Sequence, residues 1–268
     1  MHYRPLNYHL VGEPPSSDLF APFHPGAYLQ EYYSYLGAEN RELLAFLDQA
    51  YGHIFTDRAS ASMLEFGGGP TIYQLISAAR YPVTIDFSEY LEENLIEVQQ
   101  WLEDRPGQFA WDDFFEYVLR LEGVPSDGPA IEQRKHQIRS KVRRLLYCDA
   151  KCPEPLDYID AVPYDIVSTN FVLESITMDM HEWYRLIDHI EPLVKPQGYL
   201  LMCAIMGATH YRVGELFFPA VPVTLELIEA VLRQRNYAII AVNTVAAEHR
   251  EEQGYDGICM VLARKGTG

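Results

Sequence analysis

The sequence predicts a doubly wound α/β protein with a mostly parallel sheet of seven strands. Three observations carry this. Short apolar runs alternate with amphipathic stretches from Ala61 to the end of the chain. A glycine cluster, "EFGGGP", stands directly after the first of those runs. Several runs end in an acid or another polar residue, as strands do where a buried sheet meets its ligand edge. In 268 residues, 48% of them hydrophobic, one such domain can bury its own core.

The elements follow in order. Residues 1–25 carry no helical or strand pattern, and residues 26–51 show helical spacing in two pieces split near Gly37. The first strand is "ASMLEF" (61–66). Pro70 opens a helix over 71–80. A second strand, "PVTIDF" (82–87), ends in an acid, and an amphipathic helix covers 91–105. "FFEYVLRLEG" reads as a helix running into a strand, and 130–146 as a basic helix. "LLYCDA" and "YDIVSTNFVLE" are apolar runs with polar ends; a helix at 181–194 precedes the buried strand in "KPQGYLLMCAIM". A helix (224–235) and the strands "YAIIAVNTV" and "GICMVLAR" close the chain. No internal repeat is visible. Residues 1–58 are expected to form cap helices and 59–268 the core of one domain.

The net charge of −17 and a pI near 4.9 argue against nucleic acid, whose phosphates need clustered Lys and Arg. Cys148, Cys152, Cys203 and Cys259 show no zinc spacing and read as reduced thiols. No signal peptide and no membrane span is legible, so a cytoplasmic protein without a membrane partner is expected. His181 and Glu182 begin no H-E-x-x-H motif, because Arg185 stands where the second His belongs; no metal is expected.

The glycines set the chemistry. They allow a sharp turn and a ligand lying against the backbone. Ile72 replaces the third glycine of a dinucleotide fingerprint, and Pro70 removes an N–H that a pyrophosphate would use. Asp86 lies 17 residues after Gly69, near the spacing at which an acid meets an adenosine ribose. Asp149, after another strand, could accept from an adenine amine. A glycine turn with two strand-end acids describes a nucleoside pocket without phosphate hardware, and S-adenosyl-L-methionine fits that description.

At this point the sequence resembles a known family, the methyltransferases that include nicotinamide, phenylethanolamine and indolethylamine N-methyltransferases. The likeness runs from about residue 23 to Lys265, through "FHPGAYLQEYY", "GGGPTIYQLISA", "RPGQFAWDDF", "IVSTNFVLES", "LVKPQGYLL" and "HYRVGELFF". It implies a Rossmann-like fold, an N-terminal cap over the active site, and a monomer. It implies cofactor contacts at Tyr28, Tyr33, Gly67, Gly68, Thr71, Tyr73, Asp86, Phe87, Asn94, Asp149, Ala150 and Thr169. Matching Asp86 to the family's ribose acid leaves about three extra residues before Asn94. Substrate contacts are implied at Tyr28, Glu174, Ala204 and Tyr211, with Glu174 and Tyr33 in catalytic roles.

Ala204 stands where relatives carry an acid that orients the substrate, and Ala220 where they carry a small hydroxyl residue. The expected reaction is therefore methyl transfer to a small-molecule acceptor, a nitrogen before sulfur or oxygen, with nicotinamide itself disfavoured. Two alternatives stand beside it: an intramolecular alkylation of S-adenosylmethionine that releases methylthioadenosine, and a non-catalytic relative that only binds.

Overall fold

The computed structural model describes residues 10–11, 20–156, 163–248 and 254–267. Seven strands form the body of one sheet: β2 (Ala61–Phe66), β3 (Val83–Glu89), β4 (Val142–Tyr147), β5 (Tyr164–Asn170), β6 (Val194–Met206), β9 (Tyr237–Ala246) and β10 (Gly257–Lys265). A two-residue strand, β1 (Leu10–Val11), adds to the edge beside β4, in a stretch where the sequence shows no strand pattern. The order is β1-β4-β3-β2-β5-β6-β10-β9, parallel from β1 to β6, with β10 antiparallel to both its neighbours. The chain winds outward from β2 through β3 to β4, then returns to β5 on the other side of β2. The sheet therefore has its switch point between β2 and β5, where ligands bind beyond the carboxyl ends of the strands.

Helices cover both faces. On one lie α1 (Pro25–Tyr33), α2 (Ala38–Ile54), α3 (Leu75–Ala78), α4 (Glu92–Leu102), α5 (Asp112–Leu121) and α6 (Gly128–Lys141); on the other lie α7 (Met180–Ile190) and α8 (Leu225–Gln234). Strand parity decides which core a side chain joins. In β10, Ile258, Met260 and Leu262 enter the first core, and Cys259, Val261 and Ala263 the second. In β6 the same alternation sends Leu201 and Cys203 one way, and Leu200, Met202 and Ala204 the other. Gly37 separates α1 from α2, as the pattern predicts.

Several elements differ from the sequence reading. The helix expected over 71–80 is the single turn α3, because Thr71 and Gln74 turn their side chains back onto Gly68. "FFEYVLRLEG" contains no strand: Phe114, Phe115, Val118 and Leu119 bury one face of α5, which ends before Gly123 at φ +69°. The basic helix stops at Lys141 and β4 starts at the next residue. β3 continues to Glu89 rather than ending at Phe87. A hairpin absent from the reading, β7 (His210–Val213) with β8 (Leu216–Pro219), stands outside the main sheet.

Candidate active site

A cavity of about 650 Å³ opens at the switch point, within the range of small-molecule sites. Its floor is the turn after β2. Gly67 and Gly69 have φ of +68° and +60°, where residues with a Cβ are strained. Gly67 and Gly68 also lack room: a Cβ would strike Val172 at the first and the Phe87 ring at the second. The turn is tied down by Gly68 N–H donating to the Ser88 carbonyl at 3.0 Å and the Thr71 hydroxyl donating to the Gly68 carbonyl at 2.8 Å.

Beside this floor stands Glu89, the last residue of β3. One carboxylate oxygen accepts from Gly69 N–H at 3.0 Å; the other accepts from Leu91 N–H and the Asn94 amide, both at 3.0 Å. Burial raises its pKa, with these hydrogen bonds pulling the other way. Asn94 keeps its Oδ1 without a partner in the cavity wall. Tyr90, Leu91, Cys148, Asp149, Ala150 and Lys151 complete this side. The backbone N–H of Lys151 donates to Asp149 at 2.8 Å, which fixes that carboxylate at the end of β4.

The ribose role expected of Asp86 is corrected. Its side chain lies on the opposite face of β3 from Phe87 and Glu89, and three residues back, roughly 10 Å along the strand. There the carboxylate receives Arg143 at 2.6 Å, Arg144 at 2.5 Å and the Tyr164 hydroxyl at 2.9 Å. Burial works to raise its pKa, and the two guanidinium groups with Tyr164 outweigh it and hold the carboxyl low. Asp86 is absent from the cavity lining, and Glu89 occupies that place. No insertion before Asn94 is needed, since Glu89 itself bonds Asn94. Glu89 follows Gly69 by 20 residues, closer than Asp86 to the expected spacing.

Parity corrects two further expectations. Thr169 is buried away from the cavity, while its neighbour Asn170 lines it. Ala204 belongs to the core against α7 and α8, while Ile205 lines the cavity. Phe87 packs beneath Gly68 and does not reach the lining. Phe171, next to Asn170, has φ +60°, a conformation uncommon for a bulky residue and stored most often at functional sites.

The roof is aromatic. Tyr28 and Tyr33 lie on α1, their hydroxyls 3.5 Å apart, and Tyr33 stacks on Tyr73 with centroids at 5.2 Å. Burial keeps all three phenols far above their usual pKa, so Tyr33 stays a neutral hydroxyl and is no general base at neutral pH. Tyr211 of the hairpin also lines the cavity and stacks on Phe218, with Phe20 and Phe23 close by. Glu31 on α1 clasps the hairpin, accepting from Arg212 at 2.9 Å and from Gly214 N–H at 2.9 Å; the Tyr32 hydroxyl donates to the Arg212 carbonyl at 2.8 Å.

Glu174 does not line the cavity. Fully buried, it accepts from Ile205 N–H at 2.9 Å through Oε1 and leaves Oε2 without a partner. Burial pushes its pKa up to about 7, against those hydrogen bonds. The structure thus gives Glu174 the task of holding β6 beside the cavity, in place of the expected substrate contact. Tyr28, Tyr33, Gly67, Gly68, Thr71, Tyr73, Asn94, Asp149, Ala150 and Tyr211 do come together around the cavity; Glu89, Tyr90, Asn170, Phe171, Tyr255 and Ile258 join them unforeseen.

A glycine turn and a buried acid at the switch point of this sheet fit an S-adenosylmethionine-dependent methyltransferase, and the relatives establish that class. The model of the NNMT/PNMT/TEMT family matches residues 15–266, and the chain belongs to that family. It is 29% identical to human nicotinamide N-methyltransferase over 248 residues, covering 91% of this chain and 93% of that one. It is 30% identical to mouse indolethylamine N-methyltransferase with the same coverage. Against bovine phenylethanolamine N-methyltransferase it is 32% identical, covering 77% of this chain and 74% of the other. Among solved structures, the N-methyltransferase NodS of Bradyrhizobium japonicum in complex with S-adenosyl-L-homocysteine matches with TM-score 0.50 at 13% identity, covering 85% of this chain and 88% of that chain. The [4+2]-cyclase SpnF matches with TM-score 0.52 at 14% identity, covering 96% and 99%. Both likenesses concern the fold alone.

Proposed function

We propose that this protein methylates the nitrogen of a small amine acceptor. The observation that carries the reading is the division of a single cavity into a hydrogen-bonding nucleoside side and an aromatic side. On the first, the residues fit S-adenosylmethionine. Glu89 is placed for the ribose diol, Asn94 Oδ1 is an orphaned acceptor, and Gly69 leaves open the space a Cβ would fill. Asp149 and Ala150, which line the cavity past β4, would hold the adenine, and Asn170, Tyr28, Tyr33 and Tyr73 would face the methionyl part. When bound, the cofactor supplies an activated methyl group.

The protein's part is positioning. An acceptor held in line at near-attack distance can gain about 7–11 kcal/mol in favourable cases, with no dedicated base. The aromatic roof excludes water, and Tyr28 and Tyr33 offer neutral hydroxyls that orient without reacting. Charge favours an amine. The carboxylates of Glu39 and Glu248 line the cavity, whereas Lys151 is the one cation in the lining among the described residues and pairs with Glu182. Glu174 fixes the wall at Ile205 and would affect turnover through that wall.

The test is a screen of amines, guanidines and thiols with S-adenosylhomocysteine as readout. Product formed only with an amine supports the reading. Methylthioadenosine released without any acceptor would sink it.

A further inference from the structure

Glu65 is the penultimate residue of β2, two residues before the glycine turn, and is fully buried. Among the described residues its surroundings hold no counter-cation. α2 presents Tyr51, the segment before α3 presents Tyr73 and Gln74, β5 presents Ser168 and Asn170, and β6 presents Cys203. None of these is a Lys, Arg or His. Asn170 links Glu65 to the cavity by a direct hydrogen bond. The Asn170 amide donates to Glu65 Oε1 at 2.9 Å and to Ser168 Oγ at 3.0 Å, and Asn170 lines the cavity. With both donations directed at β2 and β5, the acceptor end of the amide is the one left over. Both Asn170 Oδ1 and Glu65 Oε2 lack partners.

A buried carboxylate without a cation is costly, and it becomes favourable only when positive charge arrives nearby. The cofactor and its product differ by one such charge. S-adenosylmethionine carries a sulfonium, and S-adenosylhomocysteine a neutral thioether.

We propose that Glu65 is a charge-sensing positioning residue that, acting through Asn170, makes the site hold the sulfonium cofactor in preference to the thioether product. Burial pushes the Glu65 pKa up to about 8, so at neutral pH the group is mostly protonated in the free protein. Sulfonium in the cavity favours the carboxylate, and Glu65 then releases its proton to solvent. Once the methyl group has moved to the acceptor, the sulfur is neutral, Glu65 takes a proton back from solvent, and the product is held less tightly. The inference rests on the cofactor placement given under the proposed function.

The experiment is calorimetric titration of the full chain at pH 7 with each ligand, in two buffers of different ionisation enthalpy, to count protons. S-adenosylmethionine is expected to release about half to one proton more than S-adenosylhomocysteine. In Glu65→Gln that difference should vanish, and the preference for the sulfonium ligand at pH 7 should narrow by about 2- to 10-fold, the effect of a one- to two-unit fall in the Glu65 pKa. Equal proton counts in the wild type, or a difference that survives in Glu65→Gln, overturn the proposal. The wild type also decides alone, should the variant fold poorly: its preference for S-adenosylmethionine should rise with pH from 6 to 8 and then level, and a flat ratio overturns the idea. Glu89→Ala, measured alongside, separates the two readings. If it weakens both ligands, the placement stands and the proton count judges Glu65; if it weakens neither, the placement fails and Glu65 with it.

Discussion

The two sides of the cavity are built by different means. The side formed by the ends of β2, β3 and β4 is a set of fixed hydrogen bonds. Glu89 alone joins Gly69, Leu91 and Asn94, and Thr71 closes the turn below. The side under α1 and the hairpin is made of stacked rings, and the buried Glu174 behind the Ile205 wall faces a backbone N–H. The first side has one geometry suited to one ligand. The second has shape and apolar surface, so changes of ring size there alter which acceptor fits without disturbing the first.

The largest expected effect breaks the first side. Glu89→Ala removes hydrogen bonds to a charged group and the acceptor for the ribose, and S-adenosylhomocysteine affinity should fall by about 10- to 100-fold in calorimetry. A loss below threefold would refute the assignment. Asp86→Ala sharpens the contrast within the same strand. It should cost roughly 1–3 kcal/mol of stability in denaturant melts, tempered by the exposure of Arg143, and leave ligand affinity within about twofold. An affinity loss like that of Glu89→Ala would restore Asp86 to the site.

Glu174→Gln tests the second side through pH. The folded pKa of Glu174 is raised above its unfolded value, so the native state binds more protons between about pH 4.5 and 7 and this group loses stability as pH rises through that window. Gln cannot ionise. The variant should match the wild type near pH 5 and melt higher near pH 8, by several degrees in a pH series of thermal melts. A constant offset at both pH values would count against a titrating Glu174. The smallest effect is expected from Glu31→Gln, which weakens an exposed pair worth under about 1 kcal/mol. S-adenosylhomocysteine should dissociate about two- to fourfold faster in stopped flow, with melting unchanged.

Much of this was legible from residue types. The glycine turn, the acid at the end of β4 and the order of strands and helices all follow from spacing and composition. Parity did not. Thr169 was read where Asn170 points, Ala204 where Ile205 points, and Asp86 where Glu89 stands. Each error is a strand face, and the reason is common to all three. The cavity end of β6 is apolar throughout, and β3 and β5 carry polar residues on both faces near their ends, so no alternation marks which side chain faces which layer. The extra length of β3 hid in the same way, because "FSE" carries no turn residue to end it. The hairpin escaped because Gly214 and Glu215 separate strands of only four residues each, too short for a period to register.

Glu31 grips the hairpin at two points, and Tyr32 grips it at a third. Outward movement of helix α1 must therefore either break these contacts or draw Tyr211 and Phe218 with it. The Arg212–Glu31 pair in that grip is half open to solvent on its arginine side, so dissolved salt screens it. Ionic strength should therefore loosen this grip while hardly touching the buried polar floor.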